Sequence, residues 1–455
     1  MSHYKVRHKY LKKNQWVKII ENRVPLKEMA GGLLQLVATG TQNMLLNGNP
    51  SVSFFKKVYK TYTNFAMESM RVNFNQNSMS VRESVVLVAK IKRNADMIQD
   101  VYFCMSIPEI KKITGEKFRF VKHFGETLIK SYEVIVGGAS IDKQYGEWMH
   151  IWNELSLSSD KRYGYDKMIG NVSSIFGPDN TNKLATDDVQ IATTNLFIPL
   201  RFWFNRNPGL ALPLIALQYH DVEIRVELRP MLDMYTVDDA RQEVPDDYRY
   251  YFPNDAVYID PYLEVNYVYL DTKERNFFAK SSHDYLIEQI SVIEKPASEL
   301  NMNTDLICFN PLKELVWVFC PSNAVETNSW FMYDAREKGN GCSSDIQHNV
   351  MRSAKIMFNG LDRLETKPAE YFNLIQPYQH HRLIPSQGIY CYSFSMHPEN
   401  FQPSGACNLA RVRKTQLRTE LDPDVYKLRG YDLRVYITSY NFLRIMGGMA
   451  GVAYA

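Results

Sequence analysis

With 455 residues, 45% of them hydrophobic, the chain can bury a large core, either as about three ordinary domains or as two large all-β ones. A formal net charge of +3 excludes a global field for wholesale nucleic-acid binding, and 29 Tyr with 23 Phe lean the composition towards sheet. The six cysteines, Cys104, Cys308, Cys320, Cys342, Cys391 and Cys407, form no C-x-x-C pair, and several sit in apolar runs. They read as buried free thiols of a reducing compartment, not as a disulfide framework.

In chain order, residues 1–28 form a basic arm with eight Lys or Arg against Glu21 and Glu28. Lys5, Arg7, Lys9, Lys12 and Lys13 are interleaved with Tyr4, Val6, His8 and Tyr10. Arms of this kind touch nucleic acid or anionic lipid, and a solvated tail has the same composition. No apolar h-region with a cleavage site follows, so the start predicts a chain without a secretory signal, soluble and made in the cytoplasm. Met29 to Phe55 is a long uncharged stretch, but Gln35, Thr39, Gln42, Asn43 and Asn47 make it too polar to span a bilayer.

Two-residue alternation then predicts strands with one buried face. The clearest is Asp221 to Arg229, where Val222, Ile224, Val226 and Leu228 share one side. Others are Val85-Leu87-Ala89-Ile91, Leu200-Phe202-Phe204, Leu263-Val265-Tyr267-Tyr269, Tyr390-Tyr392-Phe394 and Leu433-Val435-Ile437, each named by one face. One short helix stands out, because Trp148, Ile151, Trp152 and Leu155 follow the i, i+3, i+4, i+7 spacing of an apolar stripe. Residues 231–260 read as a long acidic loop, and Asp271 to Asp284 as a polar linker.

Internal repetition decides the architecture. Glu133-Val-Ile-Val-Gly-Gly138, Ile141-Asp142 and Glu147-Trp148-Met149 are echoed by Lys355-Ile-Met-Phe-Asn-Gly360, Leu361-Asp362 and Glu370-Tyr371-Phe372. Leu200-Arg-Phe-Trp-Phe with Asn207-Pro208 is echoed by Tyr392-Ser-Phe-Ser-Met with His397-Pro398, and Tyr262-Leu263-Glu264-Val265 by Tyr431-Asp432-Leu433-Arg434-Val435. The offset falls from 222 (138 to 360) to 190 (208 to 398) to 169 (262 to 431) while the order is kept. The halves therefore read as two copies of one domain, the first with longer loops. The expected division is a basic arm and lead-in over 1–48, a first unit over 49–271, a linker over 272–283 and a second unit over 284–455.

Chemistry is sought by spacing. No G-x-S-x-G, G-x-x-x-x-G-K-[ST], H-E-x-x-H or G-x-G-x-x-G occurs, nor the H-x-H of cupin-type metal sites. His380-His381 would point to opposite faces of a strand and read as a turn beside Pro377 and Pro385. The pairs Asp187-Asp188, Asp238-Asp239 and Asp246-Asp247 read as solvated loop carboxylates. Trp203 and Trp330 are the aromatics open to a sugar-contact reading. Asn171-Val172-Ser173 is a glycosylation-type triplet, making Asn171 a possible acceptor. No catalytic, cofactor or metal residue is expected.

Met29-Ala-Gly-Gly-Leu33, Asn47-Gly-Asn-Pro50, Phe54-Phe55-Lys56 and Thr63-Asn-Phe-Ala-Met-Glu-Ser69 open a series of longer phrases. The series continues with Asn207-Pro-Gly-Leu-Ala-Leu-Pro-Leu214, Gln376-Pro-Tyr-Gln379, Gln402-Pro-Ser-Gly405 and Asn441-Phe-Leu-Arg-Ile-Met446. In these phrases the chain resembles the major capsid proteins of the nucleocytoplasmic large DNA viruses, in their algal-virus, iridovirus and marseillevirus-like branches. The resemblance implies an all-β fold of two consecutive eight-stranded antiparallel jelly rolls. It also implies homotrimeric capsomers that look hexagonal, a lattice of them over an internal membrane, minor capsid and penton partners, no cofactor and no specific nucleic-acid recognition. Relatives often start near Met29, so residues 1–28 depart from the pattern. On that reading Lys5, Arg7, Lys9, Lys12 and Lys13 would face inward to membrane phosphates or a minor capsid protein. The basic run Leu409-Ala-Arg-Val-Arg-Lys-Thr415 is a second departure.

Overall fold

The computed structural model describes residues 61–111, 118–176, 189–237, 252, 256–324, 330–334, 349–386, 388–428 and 430–454, with a few positions between 35 and 40. The basic arm, the three acidic pairs and most of the acidic loop lie outside the described residues.

Eight main strands build the first half: β1 (Phe65–Asn73), β2 (Val85–Ile91), β3 (Met97–Ile107), β4 (Ile129–Val136), β5 (Ala139–Tyr145), β6 (Thr194–Pro199), β7 (Val222–Leu228) and β8 (Tyr262–Leu270). They pair antiparallel in two sheets, β1-β8-β3-β6 and β2-β7-β4-β5. The second half repeats the set with β9 (His283–Pro296), β10 (Asn301–Asp305), β11 (Pro311–Pro321), β12 (Met351–Phe358), β13 (Leu361–Pro368), β14 (Ile389–Ser393), β15 (Thr415–Leu421) and β16 (Tyr431–Met446). Its sheets are β9-β16-β11-β14 and β10-β15-β12-β13. Adding eight to every strand number of the first half gives the second. This is one jelly roll followed by another, each a pair of sheets packed face to face.

Alternation explains the strands. In β7 every second residue is buried, and Val222, Ile224, Val226 and Leu228 join Phe103, Val134 and Leu263 in the first core. Leu315, Trp317, Ile356, Leu417 and Leu433 do the same in the second. Each large apolar side chain so enclosed contributes about 1.5–3 kcal/mol. The first echo is a turn: Gly137 and Gly138 join β4 to β5 with φ of 59° and 85°, and Asn359 and Gly360 join β12 to β13 with 51° and 86°. Two consecutive positive φ values define the tight hairpin turn whose twist matches its strands, and glycine or asparagine tolerates them. The third echo opens the equivalent strands β8 and β16.

One expectation needs correction. Leu200 to Phe204 is not a strand: β6 ends at Pro199, and Phe202, Trp203 and Phe204 are buried consecutively around a helical turn, so no face alternates. The polar stretch after β8 contains a helix, Thr272–Lys280, whose first amide is capped by Asp271 at 2.7 Å.

Candidate functional site: the seam between the two jelly rolls

The stripe of apolar residues falls on helix α1 (Gly146–Ser156), which leaves the end of β5 directly. Met149 turns into the first core, whereas Trp148, Ile151, Trp152 and Leu155 press on the outer face of the second roll's β9-β16-β11-β14 sheet. There they meet Ile290, Val316, Val318, Cys320, Ile389, Cys391 and Tyr436. Val316, Val318 and Cys320 alternate along β11 with Leu315, Trp317 and Phe319, which fill the second core. The strand is therefore apolar on both faces. Trp148 stacks on Tyr436 with ring centroids 5.2 Å apart.

Charges sit in this seam, each with a partner. Glu147 is buried, and its carboxylate accepts from Arg434 at 2.5 Å, Tyr436 at 2.7 Å, Tyr333 at 3.1 Å and the Cys320 thiol at 3.2 Å. Burial alone would raise its pKa, but the Arg434 guanidinium and the donors outweigh burial and hold the carboxyl below its ordinary value. Burial beside that charge pushes the Tyr333, Tyr436 and Cys320 groups well up. A second cluster joins Glu288 of β9 to Lys313 of β11 at 2.6 Å and to Arg206 of the first roll. Burial opposes the Glu288 charge, and Arg206 and Lys313 more than offset it, so this carboxyl is also held low. Gln289 donates to the Ile141 carbonyl at 2.7 Å, and the Leu383 amide to the Leu155 carbonyl at 3.0 Å.

His381 lies under Trp152, fully enclosed, with its ring nitrogens 3.3 Å from Glu314 and from Glu399. Cys391 and the two carboxylates outweigh burial and raise its pKa well above the usual value. At the other end of the seam the hairpin of β16 with Met449–Val452 closes on the first roll. The Tyr219 amide donates to the Gly448 carbonyl at 3.0 Å, the Ala450 amide donates to His220 Nδ1 at 3.2 Å, and Leu443, Ile445 and Ala450 join the first core.

One group of side chains could share an ion among the described residues: His123, Glu126 and His150, on the inner side of α1. His123 Nδ1 lies 3.4 Å from the Glu126 carboxylate and makes no hydrogen bond. Glu126 is fully buried and accepts from Asn153 and Tyr165 at 2.7 Å each and pairs with His150 at 2.9 Å, while Phe331 stacks on the His150 ring at 4.4 Å. These bonds brace α1 against the first roll.

Asn171 follows the helix Ser159–Ile169. Its side-chain amide donates to Asp166 at 2.9 Å and its oxygen accepts from the His123 amide at 3.3 Å, so a glycan there would replace the first of these bonds. Trp203 is buried and offers no face to a sugar, which corrects the exposed-aromatic reading. Trp330 is half-buried, with its indole donating to the Asp233 carbonyl at 3.1 Å and Arg229 over its ring. His380 ends a helix and His381 is buried; the two do not converge on one site. Lys5, Arg7, Lys9, Lys12 and Lys13 lie outside the described residues.

The apolar stripe of α1 was legible in the sequence, but the charged pairs of the seam were not. The available signal was Lys313-Glu314, two charges opening a strand that is otherwise apolar through Cys320. Charges at positions buried on both sides need partners, and sequence does not name them.

Two jelly rolls fused by a buried, charge-bearing seam define a structural double-jelly-roll protein. The family described as "Major capsid protein N-terminus" matches residues 53–271, and "Large eukaryotic DNA virus major capsid protein" matches residues 274–451. The chain belongs to this family of major capsid proteins of large eukaryotic DNA viruses, which are shell components and not enzymes. It is 36% identical to the major capsid protein of Pyramimonas orientalis virus and 34% identical to that of Phaeocystis pouchetii virus, over 94% of this chain and 100% of each relative. A quasi-atomic model of the PBCV-1 virus capsid superposes with a TM-score of 0.68 at 28% identity, covering 89% of this chain and 100% of that one.

Proposed function

We propose that three copies of this chain form a capsomer of six similar wedges, and that such capsomers tile an icosahedral shell assembled in the host cytoplasm. The observation that carries this reading is the seam. It makes two topologically identical rolls into one unit, so that a trimer presents six near-equivalent sides to a hexagonal lattice. The family and the likeness to a virus capsid support it. On this reading the arm and lead-in occupy 1–48, the rolls 49–271 and 284–455 with 272–283 between them, and Asn171 remains a possible glycan acceptor. Minor capsid and penton proteins would be its partners, with an internal membrane beneath the shell. The basic arm, with Lys5, Arg7, Lys9, Lys12 and Lys13, would face that membrane or a minor capsid protein.

Light scattering on the purified full chain tests it: the expected mass is about three times 52.9 kDa, with hexagonal outlines in negative stain. A monomer at every concentration would overturn the reading.

A further inference from the structure

His123, Glu126 and His150 meet on the inner side of α1. His123 stands just before the short helix Phe124–Leu128, Glu126 within that helix and His150 on α1. One ligand atom of each lies within 4.8 Å of the other two. Glu126 Oε2 is 2.9 Å from His150 Nδ1 and 3.4 Å from His123 Nδ1. Donor atoms bound to one tetrahedral zinc at about 2.0–2.1 Å stand about 3.3 Å apart. The three side chains are already near that spacing.

The surroundings separate this group from a plain buried ion pair. The two oxygens of Glu126 have divided tasks. Oε1 accepts from Asn153 and Tyr165 at 2.7 Å each, while Oε2 faces both imidazoles. Donors that hold a carboxylate by its far oxygen are the outer support that orients a metal ligand. His123 Nδ1 is buried and has no hydrogen-bond partner, a cost that a bond from its lone pair to an ion would remove. The same side chain is 22% exposed, which leaves a way in from solvent. Phe331 stacks on His150 at 4.4 Å and stands edge-on to His123 at 6.2 Å, so both rings are held.

The backbone at His123 is also unusual, with φ 51° and ψ 45°, a left-handed conformation uncommon outside glycine. It is fixed from both sides. The His123 amide donates to the Asn171 side chain at 3.3 Å, and the Thr127 amide donates to the His123 carbonyl at 2.9 Å.

We propose that His123, Glu126 and His150 form a zinc site with water in the fourth position, and that the ion ties the start of the short helix to α1. Two imidazoles with one carboxylate are a zinc ligand set, whereas calcium and magnesium favour oxygen alone. The proton held between His150 Nδ1 and Glu126 Oε2 leaves to solvent on binding. The histidines bind neutral, the carboxylate ionised, and three bonds to the ion replace one hydrogen bond. All three ligands come from one chain, so the site does not rest on the assembly reading.

The purified full chain is stripped with a chelator, dialysed against zinc chloride and assayed for bound metal and melting temperature, beside His123→Asn. Asparagine tolerates the left-handed backbone and leaves the His150–Glu126 pair in place. The parent is expected to keep one zinc per chain and to melt higher with zinc than without. The variant is expected to melt like the metal-free parent, to bind zinc at least about 100-fold more weakly and to gain no stability from it. X-ray absorption of the zinc-loaded parent is expected to show two imidazoles and no sulfur, and it decides the matter if His123→Asn fails to fold. A parent that keeps no zinc overturns the proposal. So does zinc held equally by parent and variant, which is bound elsewhere, or a spectrum with sulfur or without two imidazoles.

Discussion

Helix α1 and helix α2, which follows β13 over residues 369–380, occupy the same place in two jelly rolls of identical topology; Tyr371, Leu374, Ile375 and Tyr378 match Trp148, Ile151, Trp152 and Leu155. The face of α1 is sunk against a neighbouring sheet, whereas on α2 Tyr371 is partly buried on its own core and Leu374, Ile375 and Tyr378 are exposed. A stripe of apolar residues therefore specifies that a face is to be covered, and leaves open whether the cover belongs to the same chain. What distinguishes the two sites is their cover: Val316, Val318 and Tyr436 lie beneath α1, whereas Leu374, Ile375 and Tyr378 of α2 are 44%, 45% and 79% exposed.

The largest contrast is expected from truncating matched residues. Trp148→Ala removes a fully buried indole from the seam and is expected to cost about 3–5 kcal/mol, read as a lower urea midpoint of the first transition. Tyr371→Ala, its counterpart, is expected to cost less, because Tyr371 is only partly buried on the second core. Equal losses would mean that the seam does not hold the rolls together.

Next in size is Arg434→Met. It leaves the Glu147 carboxylate enclosed without its guanidinium, and breaking a buried pair costs about 3–5 kcal/mol. Adding Glu147→Gln is expected to recover much of that loss, because an amide needs no counter-charge. A double variant as unstable as the single one would show that Arg434 acts by packing alone.

The pH dependence of the seam is a smaller effect with two opposite signs. Glu147 and Glu288 are held below the ordinary carboxylate value, so their contribution is present above the unfolded pKa near 4.5 and is lost as pH falls through the lower folded values. His381 is raised, so its contribution is fully present below the unfolded pKa near 6.5 and is lost as pH rises through the folded value. Melting temperature followed from acid to alkaline pH is expected to fall at both ends. Glu147→Gln flattens the acid limb and His381→Gln the alkaline one; unchanged limbs would remove these groups from the account.

The fold was largely legible because its signals are local. Alternation in β7 and the turn residues Gly137-Gly138 and Asn359-Gly360 act over a few residues, and the echoes preserve order whatever the loops between them do. The i, i+3, i+4, i+7 stripe likewise placed α1. The seam itself was not legible, since Glu147 meets Arg434 across 287 residues and Glu288 meets Arg206 across 82. Leu200 to Phe204 was misread because three consecutive buried residues imitate an alternating face when only every second one is counted.

The smallest expected effect is the one that sharpens the comparison most. Ile375→Ala on α2 is expected to change the stability of the dissociated chain by no more than about 0.5 kcal/mol, as for an ordinary surface position. Trp152→Ala, at the aligned place in the seam, falls in the range given for Trp148→Ala. The same Ile375→Ala is expected to weaken association, read as a shift of the monomer–trimer equilibrium to higher concentration in sedimentation. A residue that stabilises nothing within its own chain and yet holds copies together has its partner in the next chain. An Ile375→Ala variant that loses fold stability and keeps its association would show that the face of α2 is braced within its own chain, and the likeness of the two helices would end at their sequence.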